Sequence, residues 1–242
     1  MSAERVALVT GGATGIGAAC VRSLAAEGFR IALHYRSSEE KAQKLLAELP
    51  GSFSLRADLS VPEEVDALVS QLKKETGGVD VLVNNAGYNE NAPMLAMKID
   101  SYDAVAGLVR GTWYLTKLIL RRFMLRRGTG RIVNISSVVG HTGNAGQIPY
   151  AMAKASLDAL TKSLAQELAG RDILVNSVAP GFIETEMTDE LPDDIRQAIL
   201  ARVPQGRMGT VQEVAEVVTF LATRGSYVNG TVIHVNGGLY GG

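Results

Sequence analysis

The sequence predicts an α/β fold: a doubly wound parallel sheet of about seven strands flanked by helices, in one domain over residues 1–242. Three observations predict it. Short runs of Val, Ile and Leu without polar alternation recur between longer segments of helical periodicity, as strands covered on both faces do. A glycine-rich turn, Thr10-Gly-Gly-Ala-Thr-Gly-Ile-Gly17, joins the first such run to the first helical segment. No linker, repeat or low-complexity stretch interrupts the alternation, and a chain of 242 residues suits one core of this kind.

Composition narrows the function classes. The chain is 46% hydrophobic and 20% charged, and its 26 glycines point to many tight loops rather than disorder. A net charge of −1 provides no global field for nucleic acid or an anionic membrane. The single cysteine, Cys20, excludes an internal disulfide and has no metal-ligand partners in sequence. The N-terminal apolar run is too short for a signal peptide and no stretch has the length of a membrane span, so the cytoplasm is the expected compartment.

In chain order, residues 6–9 form the first strand, and the helix after the glycine turn runs to about Glu27, where Gly28 stands at a natural stop. Glycines between a strand and a helix let backbone N–H groups approach a pyrophosphate at the positive helix end. The plain alternative is a turn that binds nothing. Residues 31–35 read as the second strand, ending in Tyr35-Arg36-Ser37-Ser38. An NAD site places an acidic residue at this point, about 20 residues past the loop, for the ribose 2′-hydroxyl. Tyr35 carries no charge, whereas Arg36 beside two serines suits a 2′-phosphate, which favours NADP over a merely solvated arginine.

A helix over 39–49 and Pro50-Gly51 lead to a strand at 53–57, closed by Asp58-Leu59. The helix over 62–76 places Val65, Leu68, Val69 and Leu72 on one face and ends at Gly77-Gly78. Residues 79–83 read as a central strand emptying into Asn84-Asn85-Ala86-Gly87, where small and amide residues let a flat ring lie against the backbone, or simply make a turn. The longest helical pattern, 101–127, ends in Arg121, Arg122, Arg126 and Arg127. These cations complement the helix dipole, or receive an acidic partner.

The strand at 131–135 delivers Ser136-Ser137 at its C-terminal edge. Thirteen residues after Ser137 comes Tyr150-Ala-Met-Ala-Lys154, whose i, i+4 spacing puts phenol and ammonium on one helix face. A fixed cation favours the phenolate, so Lys154 is expected to bring Tyr150 down from about 10. Tyr150 then protonates a carbonyl that Ser137 polarises, the hydride arriving from elsewhere. Without its neighbours the same spacing reads as an exposed helix pair. A strand over 173–178 ends at Ala179-Pro180-Gly181, and a short helix over 193–202, with Ile195, Ala198 and Ile199 on one face, belongs to an excursion of lid length. A helix over 211–222, a strand over 231–235 and a glycine-rich tail complete the chain.

Taken together, T-G-x-x-x-G-I-G, N-N-A-G, the serine strand, Y-x-x-x-K and P-G resemble the short-chain dehydrogenase/reductase family across essentially the whole chain. Within it, Gly143-Asn-Ala-Gly-Gln147, Pro180-Gly-Phe-Ile-Glu-Thr-Glu-Met187 and Val235-Asn-Gly-Gly238 resemble bacterial 3-oxoacyl-[acyl-carrier-protein] reductases, and acetoacetyl-CoA reductases share much of this. The resemblance implies a Rossmann-type domain that reduces a 3-oxoacyl thioester with NADPH. It implies that Ser137 orients the carbonyl, Tyr150 donates the proton and Lys154 holds the nicotinamide ribose. Gly11, Thr14, Ile16 and Gly17 would line pyrophosphate and ribose, with Tyr35 and Arg36 at the 2′-phosphate and Asp58 and Leu59 at adenine. Asn85, Ala86 and Gly87 would line the adjoining groove, and Pro180, Gly181, Ile183 and Thr185 would fix the nicotinamide. An acyl thioester, on acyl carrier protein or CoA, is the implied substrate, and a homotetramer paired through the two long helices and the last strand is the implied assembly. Other carbonyl substrates, or a non-catalytic nucleotide-binding scaffold, stay open.

One departure carries a structural expectation. The family pattern has an asparagine midway along the long helix, where this chain reads Gly107-Leu-Val-Arg-Gly-Thr-Trp113, about one residue short. Neither Leu108 nor Val109 has an amide to hold a water, so the backbone over 107–111 is expected to leave regular helix and offer a carbonyl instead. The stretch Tyr88-Asn-Glu-Asn91 and the pair Ile148-Pro149 also depart from the pattern, which bears on acyl preference rather than on reaction class.

Overall fold

The computed structural model describes residues 4–185 and 193–241. Seven parallel strands form one sheet in the order β3-β2-β1-β4-β5-β6-β7. They are β1 (Val6–Val9), β2 (Arg30–Tyr35), β3 (Phe53–Arg56), β4 (Val81–Asn84), β5 (Thr129–Ile135), β6 (Asp172–Pro180) and β7 (Val232–Val235). The chain therefore builds outward from β1 in one direction and then from β4 in the other. The reversal point lies between β1 and β4, and a crevice opens there at the C-terminal strand ends.

Period-two alternation along the strands feeds two separate cores. Ala7, Val9, Ile31, Leu33, Val81 and Val83 face α1 (Gly15–Ala26) and α9 (Val211–Thr223). Leu8, Leu55, Leu82 and Ile132 face α3 (Pro62–Thr76) and α4 (Ile99–Ile119). The absence of polar alternation in the sequence follows: both faces of the central strands are covered. Burying each Leu or Ile side chain contributes about 1.5–3 kcal/mol. The helix boundaries follow local chemistry. Pro62 stands in the first turn of α3, and Gly77 ends it in the left-handed region at φ 66°.

The remaining helices are α2 (Glu39–Leu46), α5 (Leu125–Arg127), α6 (Val139–Thr142), α7 (Ile148–Glu167) and α8 (Asp193–Leu200). The observed elements agree with the sequence-based ones to within a few residues at each end. The rest of the predicted excursion, residues 186–192 with Glu186 and Met187 of the motif, lies outside the described residues.

The long helix corrects one expectation. α4 is regular across 107–111, and the irregularity comes later, as a π-turn over Leu120–Met124 that buries Leu120, Phe123 and Met124. A π-turn absorbs one extra residue, so the irregularity of the segment lies at its C-terminal end and not over 107–111. The glycines of this stretch serve close packing. A Cβ on Gly111 would stand 1.8 Å from the Leu59 carbonyl oxygen and one on Gly107 would stand 3.2 Å from Ser60, so both allow α4 to lie against the loop after β3. Arg110 fixes that contact by donating to the Ser60 carbonyl at 2.8 Å.

Candidate active site

The loops after β1 and β4 are stitched together by hydrogen bonds. Thr10 Oγ1 accepts from the backbone N–H of Asn85 at 2.9 Å and of Ala86 at 3.0 Å. The Asn85 amide donates back to the carbonyls of Thr10 (2.9 Å) and Gly11 (3.0 Å). Its side chain therefore serves the glycine loop itself, leaving Ala86, Gly87 and the backbone to line the groove. Close approach explains the loop's composition: a Cβ on Gly17 would stand 2.1 Å from Gly11 O, and Gly11 itself has φ +61°.

His34, which sequence reasoning did not single out, supports the same loop from β2. The Gly11 N–H donates to its Nδ1 at 3.2 Å, so Nε2 carries the proton and donates to Ala57 O at 3.0 Å. Burial lowers its pKa, consistent with a neutral ring bridging the glycine loop and the β3 end. α1 begins just beyond, with extended Thr14 as its N-cap, no side-chain cap and no acidic residue in the first turn. Ile16 packs partly against the core below. A glycine cradle under an uncapped, carboxylate-free helix start fits a pyrophosphate. From the other side Thr185 closes over the helix start, 3.8 Å from a Cβ placed on Gly15.

At the far end of the crevice the four expected residues divide. Arg36 is exposed and lies 4.0 Å from an Asp58 carboxylate oxygen. Asp58 accepts from the Ser60 hydroxyl at 2.7 Å and its N–H at 2.9 Å, and the hydroxyl bond is the main reason its pKa lies below the usual carboxylate range. Tyr35 and Leu59, by contrast, bury their side chains in the two cores. No carboxylate terminates β2.

The opposite end brings Ser137, Tyr150 and Lys154 together. Ser136 N–H donates to Val178 O (2.8 Å) and Val138 N–H to Pro180 O (2.9 Å), so β5–β6 pairing continues past the strand end and holds Ser137 beside Pro180-Gly181. Gly181 is needed there because a Cβ would meet Asn236 at 2.8 Å. Ile183 is buried and bridges in parallel to Gly209. Burial raises the Tyr150 phenol above its usual value, while the Ser137 hydroxyl beside it pulls the other way. Lys154, one turn along, is buried and donates to Ile135 O at 2.7 Å, with Nζ 5.5 Å from the Tyr150 ring centre and 3.6 Å from a Cβ placed on Gly87.

Two electrostatic points follow. The lysine charge does not bring the phenol down as expected; burial dominates, because Nζ is directed at a strand carbonyl. Burial also lowers the Lys154 ammonium to about 8, against an opposing pull from Asp158. Beside the pair is a cavity of about 20 Å³ lined by Gly87, Leu108, Thr112, Tyr150 and Lys154, among others. That is room for roughly one water.

The expected site residues thus gather at the C-terminal edge of β3-β2-β1-β4-β5-β6, with Arg36 and Asp58 towards one end and Tyr150 towards the other. Residues 11–240 match a family model described as enoyl-(acyl carrier protein) reductase. The 3-oxoacyl-[acyl-carrier-protein] reductase FabG of Salmonella typhimurium is 44% identical over 239 residues, 98% of this chain and 97% of its own. The protein of the same name from Escherichia coli K12 is 43% identical over 239 residues, again 98% and 97%. That from Staphylococcus aureus Mu50 is 40% identical over 246 residues, 99% of this chain and all of its own.

Proposed function

The chain belongs to the short-chain dehydrogenase/reductase family, and from that premise we propose that it reduces 3-oxoacyl-[acyl-carrier-protein] to the 3-hydroxyacyl product in fatty acid synthesis, with NADPH as reductant. The observation that carries the chemistry is the convergence of Ser137, held at the β5 end beside Pro180, with Tyr150 and Lys154 on one face of α7. Two hydroxyls brought to the same end of the crevice can converge on one carbonyl oxygen. A nicotinamide held in the crevice by the glycine loop and the Pro180-Gly181 turn would supply the hydride for the carbonyl carbon. As charge develops on the oxygen, Ser137 stabilises it and Tyr150 gives up its proton. The raised phenol pKa suits this direction, since Tyr150 keeps its proton at neutral pH until the oxyanion takes it. Lys154, lowered by burial to about 8, is the cation next to the phenol, its Nζ 5.5 Å from the Tyr150 ring centre.

NADPH rather than NADH is favoured by the exposed Arg36 guanidinium and by the absence of a carboxylate at the β2 end. The family model's description favours a second reading, reduction of a carbon–carbon double bond in an acyl thioester. The relatives' names and the convergence of the Ser137 and Tyr150 hydroxyls favour the ketone. Among the described residues no helix is long and apolar enough to cross a membrane, and the cytoplasm is the compartment proposed. The apolar groove between α4 and α7, with Trp113 half-exposed beside Val109 and Leu160, supports self-association into the tetramer implied by the family.

Replacing Tyr150 with Phe tests the proton donor. Tyr150→Phe should lower kcat by about 10²–10⁴-fold while NADPH affinity, measured by fluorescence titration, stays nearly constant. Retention of half the activity removes Tyr150 from the mechanism.

A further inference from the structure

Behind the catalytic lysine lies a buried acid that the mechanism above does not use. Tyr150, Lys154 and Asp158 follow one another at i, i+4 and i+8 along one face of α7. Asp158 is 5% exposed. His141 Nε2 stands 2.9 Å from its Oδ2, but without the alignment of a hydrogen bond, and neither carboxylate oxygen accepts one. The His234 ring meets His141 edge-on at 4.7 Å, and Tyr240 lies 5.3 Å from His141 and 5.0 Å from His234. The titratable groups facing this acid are therefore Lys154 on α7, His141 on α6, His234 on β7 and Tyr240 in the tail. A carboxylate taken out of water without aligned donors persists only where a cation compensates it.

His141 also belongs to the segment that presents Ser137. α6 starts two residues after that serine, and Gly140 lies flush on α7, where a Cβ would stand 2.9 Å from Ala155 N. The contact between His141 and Asp158 is thus a second fixing of the Ser137 segment onto the helix that carries Tyr150 and Lys154.

We propose that Asp158, buried against His141 and one turn from Lys154 on α7, is a positioning residue whose charge keeps Lys154 an ammonium next to Tyr150. This rests on the reading that the Lys154 ammonium serves the reaction. The electrostatics agree in direction: burial draws Lys154 down, and the Asp158 charge is what opposes it.

The test follows the Lys154 side chain by NMR of ¹³Cε-labelled lysine in the full chain, without substrate, alongside the pH profile of kcat for ketone-dependent NADPH oxidation. In Asp158→Asn the Lys154 midpoint should fall from about 8 by roughly one unit or more. The alkaline limb of kcat should move acidward with it, while KM changes little. Asp158→Glu should restore both, and Asp158→Leu, which fills the site without charge, serves if the amide variant does not fold. An unmoved Lys154 midpoint overturns the proposal, as does a loss of kcat at every pH with the limb in place, which marks Asp158 as packing alone. Inactivity of the unmodified chain with every ketone would sink the functional reading and leave the NMR titration to decide this one.

Discussion

At the scale of single residues, the proposed choice of NADPH rests on Arg36. Its guanidinium is exposed and only loosely engaged by Asp58 at 4.0 Å, so it is available to a 2′-phosphate. Arg36→Ala should weaken NADPH binding by about tenfold, the lower end for a charged hydrogen bond at an exposed site, and leave NADH within about twofold. Isothermal titration with both cofactors checks this, and equal weakening of the two would sink the assignment. Arg36, Ser137, Tyr150 and Lys154 were legible in the sequence because each follows a strand end or a helical spacing that carries its chemistry locally. His34 was not, because its meaning comes from Gly11 and Ala57, each 23 positions away and brought to it only by sheet pairing. Asp158 reads in sequence as one more helical acid; its burial against α6 and the tail is a tertiary fact.

Among the elements, α4 separates what pattern can and cannot say. The helix and its approximate length follow from periodicity, but Gly107 and Gly111 carry no sign of whether they bend a helix or let a neighbour approach. Here the neighbour is the loop at Leu59 and Ser60, and the helix stays regular. A regular α4 has no spare carbonyl at this turn to hold a relay water, and apolar Leu108 lines the cavity beside Lys154. Leu108→Asn should therefore supply the missing amide and raise kcat by about threefold or more, with a smaller solvent isotope effect on turnover. Unchanged kcat and isotope effect would mean that Tyr150 is reprotonated by another route. The late π-turn left no mark in the sequence that periodicity resolves, since one extra residue shifts the buried face by only part of a turn.

Over the whole molecule, parallel pairing assigns the two sheet edges to different tasks. All of the proposed chemistry lies on the C-terminal edge, as the alternation of strands and helices implied. The basic end of the long helix runs into the start of β5, at the other edge and on the order of 20 Å from Ser137 along the strand. Part of its charge is engaged within the chain, Arg127 by Asp80, whereas Arg121, Arg122 and Arg126 are exposed. An acidic carrier protein docking on these arginines would therefore have to reach the site with a long arm, a constraint that sequence order alone did not reveal. The fold was readable because its core pattern is local to each strand; substrate identity is not, because the two hydroxyls specify an oxygen and not the chain attached to it. The most direct measurement compares NADPH oxidation by the unmodified protein with a 3-oxoacyl carrier protein, acetoacetyl-CoA, an enoyl thioester and a simple ketone. The predicted result is the highest kcat/KM with the carrier-bound 3-oxoacyl substrate and no turnover of the enoyl thioester. Tight NADPH binding with no oxidation on any 3-oxoacyl thioester would contradict it.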